Sequence, residues 1–343
     1  MRFLQLTSIV GLLMQTQQTL CFTNPIRENA ADPDIFYTDG HYHMTYTSGD
    51  RIEITRASVI EELRRGETKV IWTDSNEGRN DAMWAPEIHR VDGVWYMFYS
   101  SRAMDDKNSL RTRVLRGCDG PNPFDCDYSF QADLVPPPGK RGGKDGNDAW
   151  SIDGSYIVIP GKGRFHLVSM KDKNGVAAIA IAKLDTRNWT VDQWHVISSP
   201  DQAWEKKMGG GKSGLGINEA PFPLYHGDDI WITFSASHCK DAGYSLGLLK
   251  YNGGDPLQKS SWDKSGPVVS AAGGNYGVGH NAFFPSPDGK QVWNLFHATK
   301  KSEGSCGSDR FAMIQQVIFD KDSNPSFDQP RALDAEMAPP SGQ

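Results

Sequence analysis

The sequence has no extended run of Lys or Arg, and its formal net charge over 343 residues is −6. Neither nucleic acid nor an anionic membrane surface is therefore an expected partner. Beyond the first residues, no apolar stretch approaches the roughly 20 residues needed to cross a bilayer. Helical periodicity is also scarce: only Ala57 to Arg65 (ASVIEELRR) reads as a short helix, at the periphery. Cysteines number five, and their spacing lacks the paired Cys-x-x-Cys or nearby histidines of a zinc site. What is present is an ordinary globular composition, 38% hydrophobic, with ten Trp. That amount of apolar material can bury a sizeable core, and the aromatic content leans towards β structure.

The N-terminus opens with Met1-Arg2, an apolar stretch from Phe3 to Met14, and a polar QTQQT before Leu20-Cys21-Phe22. One basic residue, a short apolar core and a polar end form the pattern of a secretory signal over residues 1–21. Residues 22–343 are then expected to be a single secreted, extracellular unit. Cys118, Cys126, Cys239 and Cys306 remain, and four cysteines in an exported chain imply two disulfides with three connectivities. Cys118 and Cys126 flank a Gly/Pro-containing loop (CDGPNPFDC) and form the natural local pair, which leaves Cys239 with Cys306. Asn188-Trp189-Thr190 is a glycosylation sequon.

A weak repeat organises the rest. Five times, a turn rich in Gly or Asp precedes an aromatic and β-branched run: TDGHYHMTYTS, VDGVWYMFYSS, PGKGRFHLVSM, HGDDIWITFSAS and SPDGKQVWNLFHAT. Asp-Gly turns between apolar runs signal hairpins, because their central residues tolerate positive φ. The spacing of the repeats leaves room for one four-stranded sheet each, as in a propeller blade. The predicted fold is therefore all-β, a five-bladed β-propeller.

Each turn is preceded by a strand with an unusual polar residue near its start: Asp32, Glu87, Asp153, Glu219 and His280. The inner strand of every blade lines the central channel, so these five positions are expected to form one ring. Alone, Asp32 before Pro33 or Asp153 before Gly154 would be a plain turn residue. Glu219 sits in an otherwise apolar strand, where an unpaired carboxylate is costly. Together they suit glycosidic hydrolysis, which needs one carboxylic acid to protonate the leaving oxygen and one carboxylate to activate water. A third carboxylate beside the acid would raise its pKa. The loops 136–146 and 206–216 are expected to form the rim of the site. GGGKS at 209–213 resembles a phosphate-binding loop, but Lys206 stands where the earlier Gly belongs.

The strings ADPDIF, MWAPEIH, WSIDGSY, INEAPFPLYH and GVGHNAFF resemble the successive blade motifs of glycoside hydrolase family 43. The resemblance runs from Asn24 to Phe284. It implies an inverting acid/base reaction with no catalytic cofactor, acting on an oligosaccharide or polysaccharide, in a monomer. By motif, Asp32 resembles the general base, Asp153 the residue that tunes the acid, and Glu219 the general acid. His280 resembles a histidine near the axis that contacts a structural calcium or sodium ion in many members. Glu87 departs from the usual Asp after TrpAlaPro and is read as substrate-binding. Trp84, as a sugar-stacking residue, and Arg310, which resembles a family Arg reaching sugar hydroxyls, join it.

Within the family, MWAPEIH, INEAPFPLYH, SASHC and GSCGSDR are most similar to the α-L-arabinofuranosidase and exo-arabinanase branch. The chain has no room after Gln343 for the extra β-sandwich of many β-xylosidases, which favours arabinofuranosidase over β-xylosidase; endo-arabinanase is a further alternative. A non-catalytic carbohydrate-binding propeller is the alternative from another class, disfavoured by the presence of all three carboxylates. The fructan-hydrolase motifs Asn-Asp-Pro-Asn and Arg-Asp-Pro do not occur.

Overall fold

The structure, a computed structural model, describes residues 21–210 and 214–343. The secretory-signal reading thus lies outside the described residues except for Cys21, which is exposed and unpaired.

Five antiparallel sheets follow one another along the chain. The first is β1–β4 (Asp34–Thr38, His41–Thr45, Ile52–Ala57, Glu67–Trp72). The second is β5–β8 (Asp81–Val91, Val94–Arg102, Arg111–Arg116, Ser129–Asp133). The third is β9–β13 (Ser151–Ile159, Gly163–Lys171, Ala177–Asp185, Thr190–Val191, His195–Ser198), with both short last strands on β11. The fourth is β14–β17 (Asn218–His226, Asp229–Ala236, Ser245–Tyr251, Trp262–Val269). The fifth is β18–β21 (Tyr276–Pro285, Val292–Thr299, Phe311–Phe319, Pro325–Phe327). This is the expected five-bladed propeller. The first hairpin of every blade turns on residues in the left-handed region, such as Asp39-Gly40 and Asp92-Gly93, as the repeated turn motif requires.

Each blade packs on the next through its own apolar cluster, so burial rather than hydrogen bonding holds the ring. Tyr96, Phe98 and Val114 of the second blade meet Val168, Met170 and Ala180 of the third, for example. The seam between the last blade and the first is closed by the segment before β1. Phe22 and Met337 exchange both backbone hydrogen bonds at 2.9 Å, and Asn24 donates to and accepts from the backbone of Ile314. Ile26 and Ala30 fill the apolar seam beneath them.

The short helix expected over 57–65 is a 3-10 turn over Ile60–Arg64. Ala57 instead ends β3, paired with Tyr42, because strand pairing satisfies its backbone, and the single buried turn (Ile60, Leu63) packs on the face of the sheet. Both disulfides, Cys118–Cys126 and Cys239–Cys306, are present as the sequence suggested.

All five inner strands run in the same direction. Their starting ends share one face with the loops that enter each blade and with the turns between its second and third strands. Residues 136–146 and 206–210 are both on that face, one before β9 and the other before β14.

Candidate active site

At or just before the start of each inner strand, at matching places in the five blades, stands a non-glycine residue in the left-handed region: Asp32 (φ 51°), Ala85 (46°), Asp153 (56°), Ala220 (53°) and His280 (47°). All five break the strand's regular course, and register shifts mark the bulge in four blades. A non-glycine residue held there is strained, and a bulge re-aims its neighbours into the channel. Asp153 and His280 occupy the bulge itself, and Asp32 stands at the matching place just before β1. Glu219 precedes the bulge of its strand by one residue, and Trp84 is its counterpart in the second blade. Glu87 lies two residues past the bulge, level with Asp34.

This separates the expected ring into two layers. The upper layer holds Asp32, Asp153, Glu219 and His280, with Trp84 beside them, 37% exposed and free to present its ring. Deeper in the channel, Glu87 is buried against His89, Oε2 to Nε2 2.9 Å, and Asp34 accepts the Ile88 N–H at 2.6 Å. Burial raises Glu87 well above the usual carboxylate range and lowers His89 to about 4. Burial thus disfavours the charged form of each partner. Asp34 is pushed up to about 7 by burial and by Glu87.

In the upper layer, Asp32 is clamped from several sides. Arg310 Nη1 donates to Oδ1 at 2.6 Å and the Thr47 hydroxyl donates to Oδ2 at 2.8 Å. His280 Nδ1 and His297 Nδ1 each lie 3.3 Å from Oδ1, and the Asp32 N–H donates to His297 Nδ1 at 3.1 Å. Burial alone would raise this carboxyl, but the Arg310 charge and the two histidines hold it well below the usual range. Burial lowers both imidazoles, His297 to about 3. Arg310 is the permanently charged member of this clamp. Asp32 is consequently an ionised carboxylate.

The other two carboxyls behave oppositely. Glu219 is raised to about 7 by burial and by the Asp32 charge, against a stabilising hydrogen bond from the Tyr244 hydroxyl to Oε1 at 2.8 Å. Asp153 is raised well above its usual value by burial and then by the charge of Glu219. Its carboxylate accepts the Ala220 N–H at 3.0 Å, which ties it to the strand carrying Glu219. Two buried carboxyls that disfavour each other's ionisation retain a proton between them near neutrality.

Arg310, Thr47, His297 and Tyr244 meet these carboxyls from outside the inner strands. Only Arg310 carried a signal in the sequence. Tyr244 stacks on His297, ring centroids 5.7 Å apart and 8° from parallel. That packing needs Gly279, where a Cβ would lie 2.3 Å from the tyrosine ring.

His280, expected to contact a structural ion, lies in the upper layer against Asp32 and Ser235. Its Nδ1 faces Asp32, and its N–H donates to Ser235 Oγ at 2.7 Å. The single ligand-spaced trio among the described residues is His238, Cys239 and Cys306, and its two sulfurs are joined in a disulfide. At the opposite mouth of the channel lies a cavity of about 550 Å³ lined by Phe36, Tyr156, Phe222, Tyr225 and Phe283 among others. It lacks the paired carboxyls and is not the reacting end. Asn188 is exposed in the turn between β11 and β12, its amide donating to Asp185 at 2.8 Å.

A carboxylate held ionised beside a carboxyl held protonated is the arrangement that acid/base hydrolysis of a glycoside requires. The chain matches Glycosyl hydrolases family 43 over residues 22–325. It belongs to that family. An extracellular exo-α-(1→5)-L-arabinofuranosidase of Streptomyces avermitilis is 33% identical over 92% of this chain and 64% of its own length. One of the same name from Streptomyces chartreusis is 27% identical over 87% of this chain and 88% of its own. The crystal structure of an α-L-arabinofuranosidase from Lactobacillus brevis superposes with a TM-score of 0.79 at 25% identity, covering 92% of this chain and 98% of that one. The family 43 chain thus spans under two thirds of the first relative's length and nearly all of the others.

Proposed function

We propose that this family 43 protein is a secreted, inverting α-L-arabinofuranosidase that acts from chain ends on arabinan or arabinoxylan. Asp32 is the general base, Glu219 the general acid, and Asp153 the group that keeps Glu219 protonated and orients the sugar. The observation that carries the reading is the electrostatic split: Asp32 is held ionised by Arg310 while Glu219 is raised to about 7. Asp32 takes a proton from water as that water attacks the anomeric carbon, and Glu219 gives its proton to the departing oxygen. Trp84 offers its exposed ring to a sugar face. The Arg310 guanidinium meets Asp32 through Nη1 and Nη2 and the Gly307 and Cys306 carbonyls through Nε and Nη2, so its part is to hold the base.

The arabinofuranoside preference draws on the names of the relatives, and exo action on the loops that rise on the catalytic face. Export draws on the two disulfides, which persist in oxidising compartments, and on the relatives named extracellular. The test is a panel of nitrophenyl α-L-arabinofuranoside, nitrophenyl β-xyloside, linear arabinan and arabinoxylan. Release of arabinose as the first and sole small product from arabinan is expected. Preferential xyloside cleavage, or arabino-oligosaccharides as early products, would overturn the proposal.

A further inference from the structure

We infer that the Cys239–Cys306 disulfide is a positioning element for the reaction, because it fixes the loop whose carbonyl groups aim Arg310 at Asp32. The inference rests on the reading of Asp32 as the general base.

Residues 300–310 connect β19 to β20 on the catalytic face, and Arg310 is their last member. Its guanidinium is held from behind by this loop: Nη2 donates to the Cys306 carbonyl at 3.3 Å and Nε to the Gly307 carbonyl at 3.0 Å. The front edge is then left to meet Asp32 at 2.6 Å. One of the two carbonyls belongs to the disulfide cysteine itself. Inside the loop, Asp309 accepts from Ser305 at 2.6 Å and from Thr299 at 3.1 Å, which shapes the turn.

The other half of the bridge is well anchored. His238 N–H donates to the Lys207 carbonyl at 2.8 Å, Lys207 N–H to Ser237 Oγ at 3.1 Å, and Asp241 N–H to the His238 carbonyl at 2.9 Å. Gly304 abuts this turn so closely that a Cβ would lie 2.7 Å from the Cys239 carbonyl oxygen. Besides this packing, the disulfide and the approach of His238 Nδ1 to the Cys306 sulfur at 3.9 Å join the two loops. The covalent bond therefore ties the Arg310 loop of the fifth blade to a fixed turn of the fourth.

Asp32 faces Arg310, His280 and His297, the Thr47 hydroxyl, and the carboxyls of Asp153 and Glu219. Among them Arg310 brings the permanent positive charge. Freeing its loop withdraws that charge and lets the base protonate more readily.

The test compares kcat/KM against pH, and kcat and KM separately, on nitrophenyl arabinofuranoside for three variants of the whole chain. These are C239A/C306A, Arg310→Met, and C118A/C126A as a control that removes the other disulfide. The acidic limb of C239A/C306A should move to higher pH, in the direction of Arg310→Met, with kcat lowered about 10- to 100-fold. C118A/C126A should lower Tm and leave the limb in place. Adding C239A/C306A to Arg310→Met should shift the limb no further than Arg310→Met alone, since both changes act on one contact. A wild-type limb and kcat in C239A/C306A, alongside a shifted limb in Arg310→Met, would overturn the inference alone. An unshifted limb in Arg310→Met would overturn the base assignment, and the inference with it. Should C239A/C306A not fold, native protein reduced by dithiothreitol, with thiols counted and the fold checked by circular dichroism, gives the same readout.

Discussion

Tyr244→Phe isolates the control of the acid. The substitution deletes one hydroxyl and keeps the ring, which stacks on His297 and packs on Gly279. The hydroxyl donates to Glu219 Oε1 at 2.8 Å, and a hydrogen bond to a charged group contributes about 1.5–3 kcal/mol. Because that bond favours the ionised carboxylate, its loss raises the pKa of Glu219. At 1.36 kcal/mol per unit the rise is about 1–2 units. Glu219 stands at about 7 and must be protonated to act, so it sets the alkaline limb of the pH–rate profile. In Tyr244→Phe that limb should move from about 7 to about 8–9, with the acidic limb unchanged. The assay is kcat/KM across pH on a substrate whose departure needs the acid. An alkaline limb that stays in place, or moves to lower pH, would refute the assignment of Glu219 as the titrating acid.

The remaining predictions separate the roles of the three carboxyls. Glu219→Ala should cost about 10²–10⁴-fold on an oligosaccharide and markedly less on nitrophenyl arabinofuranoside, whose leaving group departs without a proton; equal losses measured on both would make Glu219 a binding residue. Asp32→Ala should harm both substrates about equally, because activation of water does not depend on the leaving group, and a leaving-group-dependent loss in the same comparison would contradict this. Asp153→Asn removes the carboxyl coupled to Glu219, so activity should fall and one limb of the pH–rate profile should shift; a wild-type rate and profile would place Asp153 outside the reaction.

The five blades were legible because each inner hairpin needs residues tolerant of positive φ, and Gly and Asp announce them. The disulfides were legible because Cys118 and Cys126 are close in sequence and the other two had only each other. The register of the ring was less so. Counting eight residues back from the turn glycine reaches Asp32 and Asp153, but from Gly93 it reaches Ala85, an alanine with no chemistry to notice. Glu87, six residues back, was taken for the ring member, yet the bulge puts it in the layer below with Asp34 and His89. Strand bulges add a residue without changing composition, so the sequence does not show them. Tyr244, Thr47 and His297 were hidden for another reason. They lie outside the inner strands, and only closure of the ring brings them to the carboxyls.

The central claim is that Asp32 activates water on one side of the sugar while Glu219 protonates the leaving oxygen from the other. Proton NMR of the arabinose first released from an α-L-arabinofuranoside tests it most directly. The account predicts that the β-anomer appears first and mutarotates afterwards, with carboxyl groups spaced about 6.5–9.5 Å apart to admit the water. Initial release of the α-anomer would mean a covalent intermediate, and would contradict the account.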